Sequence, residues 1–252
     1  MTTQPLVSVV IPCYNYGRYL AEALDSARAQ SYPTVEIIVI DDGSIDDTEE
    51  VAAGYGPEIA YFHQENSGPA AARNMGARTA AGVYLVYLDA DDILDPTYLE
   101  RTVREFESAK DPRLAFVYTQ MRTFGRESAI TTFPVFDVRP LLINNYVHAS
   151  AALRADVVRS NPFDEALRAG LEDWDFFLRL CELGYTGRLV DVPLLAYRRH
   201  GDAGSRQDAI SRGRGQRLRG RLVRKHWRLY LHHGPWYAKT MAAKAYRKLT
   251  HG

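Results

Sequence analysis

Residues 83–92 read Val83-Tyr84-Leu85-Val86-Tyr87-Leu88-Asp89-Ala90-Asp91-Asp92. Six apolar residues, β-branched or aromatic at four of the positions, have the composition of a buried strand. The run stops abruptly at three carboxylates in four residues. The same event recurs toward the N-terminus. Residues 7–11 are a short β-branched run ended by Pro12, and residues 36–40 are another, ended by Asp41-Asp42-Gly43-Ser44. Residues 59–63 read as a further strand. Between them the period changes to that of a helix: residues 19–30 place Leu20, Ala23, Leu24 and Ala27 on one face. Residues 46–53 form a predicted helix with Asp46 as N-cap and Glu49 three on, close to a capping box. Residues 69–80 are Ala-rich with Pro69 in the first turn, and 95–109 carry Pro96 at the first position.

Strands alternating with helices at this spacing predict βαβ units, a parallel sheet and right-handed crossovers. In such sheets ligands sit beyond the carboxyl ends of the strands. The residues there look chemical: Tyr14-Asn15, Asp41-Asp42 and Asp89-Ala90-Asp91-Asp92. From residue 114 the pattern loosens. Residues 114–119 suit a strand, 120–150 read as loop with strand fragments, 172–183 as a helix and 187–197 as one or two strands. Residues 201–220, rich in Gly and Arg, read as a loop or flap, and 221–252 as helical with a break near Gly234-Pro235.

The chain has 252 residues, 46% hydrophobic and 25% charged, enough for a sizeable core. No apolar run reaches the length of a membrane span, and the first ten residues read as a core strand, not a signal peptide. Cys13 and Cys181 form no metal-type pair, so a reducing cytoplasm is the simplest compartment. The 31 basic and 31 acidic residues are unevenly placed. From Arg206 onward there are 13 Lys or Arg against Asp208 alone, leaving 18 basic and 30 acidic residues before it. An acidic body carries a basic tail. The tail suits either anionic lipid, with Trp227, Tyr230, Trp236 and Tyr237 at the interface, or packing on the body or on a second subunit.

Three clusters carry the chemistry. Asp89, Asp91 and Asp92 repel one another unless a hard cation intervenes; Mg²⁺ and Mn²⁺ typically take one or two carboxylates plus substrate phosphates. Acids before a helix have a structural use too, at its positive end. Asp41-Asp42-Gly43-Ser44 suits a tight turn, and its carboxylates could equally accept hydrogen bonds from a base or ribose. In residues 66–74, Gly68 lets the backbone pass close to a neighbour, while Arg73 and Asn74 could reach a base or phosphate.

These three clusters in this order resemble the family 2 glycosyltransferases, which have the GT-A fold. The resemblance rests on residues 7–15 (Val-Ser-Val-Val-Ile-Pro-Cys-Tyr-Asn), 41–44, 66–74 and 87–92. It is dense over 5–110, sparser over 148–205 and absent after about 210. It implies an α/β GT-A fold: a Rossmann-like, mostly parallel sheet flanked by helices, with a helical basic C-terminal extension. Residues 1–110 would be the nucleotide-sugar half, 111–205 the acceptor and catalytic-base half, and 206–252 a basic loop and helices. It further implies that Pro12 and Tyr14 line the base pocket, Asp42 accepts from the base, and Asp41 and Arg73 lie beside the nucleotide. Asp89 would contact ribose or metal, and Asp91 would ligate Mn²⁺ or Mg²⁺ that bridges the diphosphate. Asp173, in Glu172-Asp173-Trp174, would be the general base. His200, in Tyr197-Arg198-Arg199-His200, would be a metal ligand, with Arg198 or Arg199 on phosphate, and residues 201–215 would close over the donor.

The activity so implied is inverting transfer of one sugar from a nucleotide diphosphate donor, UDP or dTDP favoured, to a saccharide or lipid-linked acceptor. The setting would be surface polysaccharide or glycolipid assembly, in the cytoplasm or peripherally on the inner membrane face. Processive relatives carry Gln-x-x-Arg-Trp, whereas Gln216-Arg217-Leu218-Arg219 ends in Gly220, which implies single additions. Four rivals are weaker, one of them a sugar-nucleotide binder with lost catalysis, against which the intact acid set argues. A nucleotidyltransferase would want a Gly-rich loop with Lys or Arg after the first strand, where this chain has Pro12-Cys13-Tyr14-Asn15. A dehydrogenase would want G-x-G-x-x-G after a strand. A nucleic-acid-binding module built on the tail would leave the carboxylates unexplained, and no nucleic acid is expected.

Overall fold

The computed structural model describes residues 4–168, 170–200 and 215–250. The first half runs β1 (Val7–Cys13), α1 (Gly17–Arg28), β2 (Val35–Asp41), α2 (Thr48–Ala53), β3 (Ile59–His63), α3 (Pro69–Thr79), β4 (Tyr84–Tyr87), β5 (Ile93–Leu94) and α4 (Tyr98–Ala109). The second runs β6 (Leu114–Gly125), β7 (Ala129–Thr131), α5 (Val138–Leu141), β8 (Ala152–Arg154), α6 (Ala155–Ser160), α7 (Glu172–Glu182) and β9 (Thr186–Arg199). Three helices follow: α8 (Gly215–Lys225), α9 (Trp227–His232) and α10 (Gly234–Thr250).

One sheet has the order β3-β2-β1-β4-β8-β6-β9-β5, with β7 beside β6. It is parallel from β3 to β4 and mixed beyond, where β8 runs against both β4 and β6. Strands buried on both faces read as continuous apolar runs, and β1 shows why: Val7, Val9, Val10 and Ile11 are all fully buried. Successive side chains serve opposite layers. Val10, Ile38 and Ile40 join α3, α6 and α7 in one core, while Val9, Ile11 and Val39 join α1 and α4 in the other. Gly76 seats α3 against β1, since a Cβ there would fall 2.3 Å from a Val10 methyl.

Several boundaries differ from expectation. α2 begins at Thr48, and no side-chain cap forms. The Asp46 carboxylate is instead taken by the Gly17 N–H at 2.9 Å and by the Thr48 N–H and hydroxyl, so it ties α1 to α2. α4 likewise starts at Tyr98, because Asp95 accepts from the Thr97 N–H and hydroxyl. Residues 120–150, read as loop with strand fragments, contain the end of a long β6 and β7, and also the short helix α5, which was not expected. α8 begins at Gly215, inside the segment 201–220 read as a loop or flap; of the loop 201–215 expected to close over the donor, residues 201–214 lie outside the described residues. The basic tail packs on the body: Leu222 of α8 and Tyr230 of α9 belong to the core shared with α7. Among the described residues no helix is long and apolar enough to cross a membrane.

Candidate functional site

β2, β1 and β4 are neighbours, so the three acidic or aromatic loops at their carboxyl ends converge on one edge of the sheet. Asn15, at φ 55°, links two of them: its N–H donates to Ser44 Oγ and its side-chain oxygen accepts the Ile45 N–H, both at 2.9 Å. Tyr14 beside it is exposed, and Pro12 is half-buried.

Asp41 and Asp42 diverge in environment. Asp41 is buried and accepts from the Ser44 N–H at 2.8 Å and the Tyr61 hydroxyl at 2.6 Å, with His63 at 3.3 Å. Burial pushes its carboxyl up, but these hydrogen bonds outweigh it and hold the group below the usual range. Asp42 is buried too. It accepts the Gly68 N–H on one oxygen, and the Ser67 N–H and the Gln64 amide on the other, at 2.7–2.8 Å. It therefore fixes the turn into α3, where Gly68 adopts φ 89°, a conformation that L side chains rarely take.

Arg73, on the first turns of α3, is 5% exposed. Its guanidinium bridges Glu172 at 3.0 Å and Asp89 at 3.2 Å and lies 5.7 Å from the Phe163 ring. It thus joins the loop after β4 to the start of α7. Asp91 turns the other way, with Oδ2 2.7 Å from His200 Nε2 at the end of β9. The other His200 nitrogen lies 3.4 Å from the Tyr19 hydroxyl, and Tyr16 packs edge-on against the ring. Burial and the neighbouring Asp89 charge push Asp91 up, partly offset by His200. Asp92 faces inward and accepts the Arg198 N–H at 3.0 Å; burial and then Asp89 and Asp91 push it well up. Arg198 is spent on the body: it donates to the Asp91 carbonyl and to Glu22, and stacks on Tyr19 and Phe124.

The acids can be tested against the expected divalent ion. Asp91 and His200 offer an oxygen and a nitrogen at 2.7 Å, close to the ~3 Å that separates adjacent ligands of an ion bound at about 2.1 Å. Asp89 is 39% exposed at its side chain; one oxygen pairs with Arg73, and the other can face a ligand. Among the described residues, no three His, Cys, Asp or Glu side chains already form an ion-holding group. The carboxylates fit a hard cation that takes part of its shell from substrate phosphates.

Asp173, in the first turn of α7, lies beside Glu172 and accepts the Asn145 amide at 2.8 Å. Burial, and then the Glu172 charge, push its carboxyl up to about 6, against a lowering by Arg73. Asn145 carried no signal in sequence, since it stands in the segment where no motif was found. The same holds for His148. Its ring Nε2 lies 3.3 Å from the Thr119 carbonyl, and burial pulls its pKa down to about 4. Tyr16 and Tyr19 likewise belong to no motif, although they adjoin residues 7–15.

The model of the family described as glycosyl transferase family 2 matches residues 8–159. An uncharacterized glycosyltransferase of Rickettsia typhi is 33% identical over 71% of this chain and 59% of its own. The chondroitin synthase of Escherichia coli is 33% identical over 71% of this chain and 27% of its own. The chain therefore spans less than two thirds of the length of these relatives. Among solved structures, Staphylococcus aureus TarS 1-349 in complex with UDP-GlcNAc aligns with a TM-score of 0.67 at 16% identity, over 89% of this chain and 72% of that one. The mannosyltransferase PcManGT of Pyrobaculum calidifontis, in complex with GDP-Man and Mn²⁺, aligns with a TM-score of 0.57 at 21% identity, over the whole of this chain and 77% of that one. The likeness to these structures is one of fold.

Proposed function

Because this chain belongs to glycosyl transferase family 2, with the GT-A fold, we propose that it moves one sugar from a nucleoside diphosphate sugar to an acceptor hydroxyl with inversion. The observation that carries this is Asp173. It is a carboxyl pushed up to about 6, oriented by Asn145 and set beside Glu172, which Arg73 links to Asp89. A base of that pKa is mostly ionised at neutral pH yet remains basic enough to take a proton, the range where general-base catalysis is efficient.

In the step, Asp173 takes the proton of the acceptor hydroxyl as its oxygen bonds to the anomeric carbon. The bond from that carbon to the diphosphate breaks on the opposite face, and the nucleoside diphosphate leaves with the electron pair. Asp91 and His200, with Asp89 beside them, would hold Mn²⁺ or Mg²⁺, which supplies positive charge against the leaving diphosphate. Tyr14 and Pro12 would line the base pocket. Asp42 and Asp41 would shape it through the turns they fix, and Arg73 would hold Asp89 toward the ribose or ion. Residues 1–110 serve the donor in this reading and 111–205 the acceptor. UDP or dTDP is favoured, and the UDP-GlcNAc bound by TarS supports the former. A surface saccharide or lipid-linked acceptor suits the exposed Arg217, Arg221, Arg224, Arg228 and Trp227 of α8 and α9, whose charge favours an anionic membrane face.

The first test is a thermal-shift panel of nucleoside diphosphates with and without Mn²⁺. A ligand at 100 times its Kd adds about 2.7 kcal/mol. Metal-dependent stabilisation by UDP or dTDP is the expected result. A response to nucleoside triphosphates alone would overturn the transferase reading. Flotation with anionic vesicles checks the membrane contact, which should disappear in Arg224→Glu/Arg228→Glu.

A further inference from the structure

α7 carries Asp173, and two residues on it carries Asp175, about 200° around the helix. Asp175 is fully buried, and it faces the C-terminal helices. His226, between α8 and α9, is 1% exposed. Its Nε2 lies 3.0 Å from Asp175 Oδ1 and its Nδ1 2.9 Å from Glu182 Oε2. A neutral imidazole has one N–H; donating to a carboxylate on each side needs both nitrogens protonated. The geometry therefore calls for an imidazolium. Its neighbour Lys225 sits 2.5 Å from Asp164 and 2.7 Å from Asp175.

The same helices grip the other side of the proposed base. The Tyr230 hydroxyl donates to the Leu142 carbonyl at 2.9 Å, and Trp174 donates to the adjacent Leu141 carbonyl at 2.7 Å. Arg219 of α8 lies 5.5 Å over the Trp174 ring. Residues from beyond 215 thus hold Leu142, three positions before Asn145, and Trp174, next to Asp173.

We propose that His226 is a positioning residue: wedged between Asp175 and Glu182, it clamps the C-terminal helices to the back of α7 and so fixes the place of Asp173. The clamp stands on geometry alone, and only the part assigned to Asp173 rests on the proposed transferase activity. It explains why a basic extension outside the matched family region is wound into the core. The groups facing the ring are Asp175 and Glu182 from α7, with Lys225 of α8 on Asp175 and Asp164. Burial pulls the imidazole down, but the hydrogen bonds and charges of Asp175 and Glu182 outweigh it and raise its pKa above 6.5. A raised His contributes stability that is complete below the unfolded value and is lost as pH rises through the folded one. The clamp therefore loosens on the alkaline side.

The test is amide hydrogen exchange of the full chain, corrected for intrinsic rates, at pH 6 and pH 9, for wild type, His226→Gln and Glu182→Gln. Opening of 172–182 and 141–146 should become about tenfold faster in His226→Gln at pH 6, with β1 to β4 unchanged. Wild type should approach that behaviour at pH 9, and Glu182→Gln should fall between. Faster exchange confined to α8 and α9, with 172–182 as in wild type, overturns the proposal. Should His226→Gln also expose β1 to β4, Glu182→Gln decides alone, because it keeps the ring and removes one charge: selective loosening of α7 supports the clamp and wild-type exchange refutes it. In transfer assays kcat should fall while donor KM holds. Exchange needs no sugar nucleotide, so a wild type inert with every donor would sink the enzymatic reading and leave the clamp standing.

Discussion

Arg73 and Glu172 meet at 3.0 Å inside the protein although 99 residues separate them. With side chains 6% and 9% exposed, they form a buried ion pair that ties α3 to α7. Burying either charge alone is costly, and breaking such a pair by removing one partner costs about 3–5 kcal/mol. Arg73→Met should therefore lower the unfolding free energy by about that amount in urea titration. Arg73→Met/Glu172→Met should recover much of it, because the one charge then left without Arg73 in an ion pair, Asp89, is 39% exposed at its side chain. Additive losses in the double variant would show that the pair is not coupled.

Asp173 gives a separable signature. Its folded pKa, about 6, stands above the ordinary 3.8, so its ionised form is disfavoured by folding. The neutral group costs nothing below the unfolded pKa, and stability falls as pH rises from there to the folded value of about 6. Asp173→Asn should match wild type in stability at pH 4 and equal or exceed it at pH 7.5. Transfer should fall about 10²- to 10⁴-fold. In wild type, kcat/KM should rise with pH through about 6. Equilibrium denaturation at the two pH values and a rate profile check both halves.

Asp91 and His200 should govern metal-dependent donor binding. Asp91→Ala and His200→Ala are each expected to abolish the part of the diphosphate thermal shift that Mn²⁺ adds. EDTA should do the same to wild type, and the melting temperature without ligand should change little. Calorimetric titration of Mn²⁺ with UDP present is the direct measurement, and unchanged affinity in both variants would exclude them as ligands.

Asp42 separates support from recognition. An asparagine there turns an amide toward one of the N–H donors of Ser67, Gly68 or Gln64, and a buried donor without a partner costs about 1–3 kcal/mol. Asp42→Asn should lose that much stability by denaturation. Diphosphate affinity, measured in the same protein, should fall as well if the turn shapes the base pocket. Lost stability with unchanged affinity would restrict Asp42 to a structural part.

The strands and helices of the first hundred residues were legible because β-branched runs and 3.6-residue spacing are local patterns. The acidic loops were legible because carboxylates at strand ends stand out against an apolar run. Boundaries slipped where a side chain found a distant partner: Asp46 reads as a cap until Gly17 claims its carboxylate. The basic tail shows the same limit more sharply. Its sequence permits a solvated or lipid-facing helix pair, and nothing local distinguishes His226 from the exposed basic residues around it. By itself, then, the sequence determined the strands of the parallel half of the sheet, its flanking helices and the composition of the loops at their ends, because these follow from nearest-neighbour chemistry. Only the tertiary structure decided that Arg73 meets Glu172, Asn145 meets Asp173 and His226 meets Asp175. Such contacts join residues 28 to 99 positions apart, and a polar side chain looks the same in sequence whether folding buries it against a partner or leaves it in water.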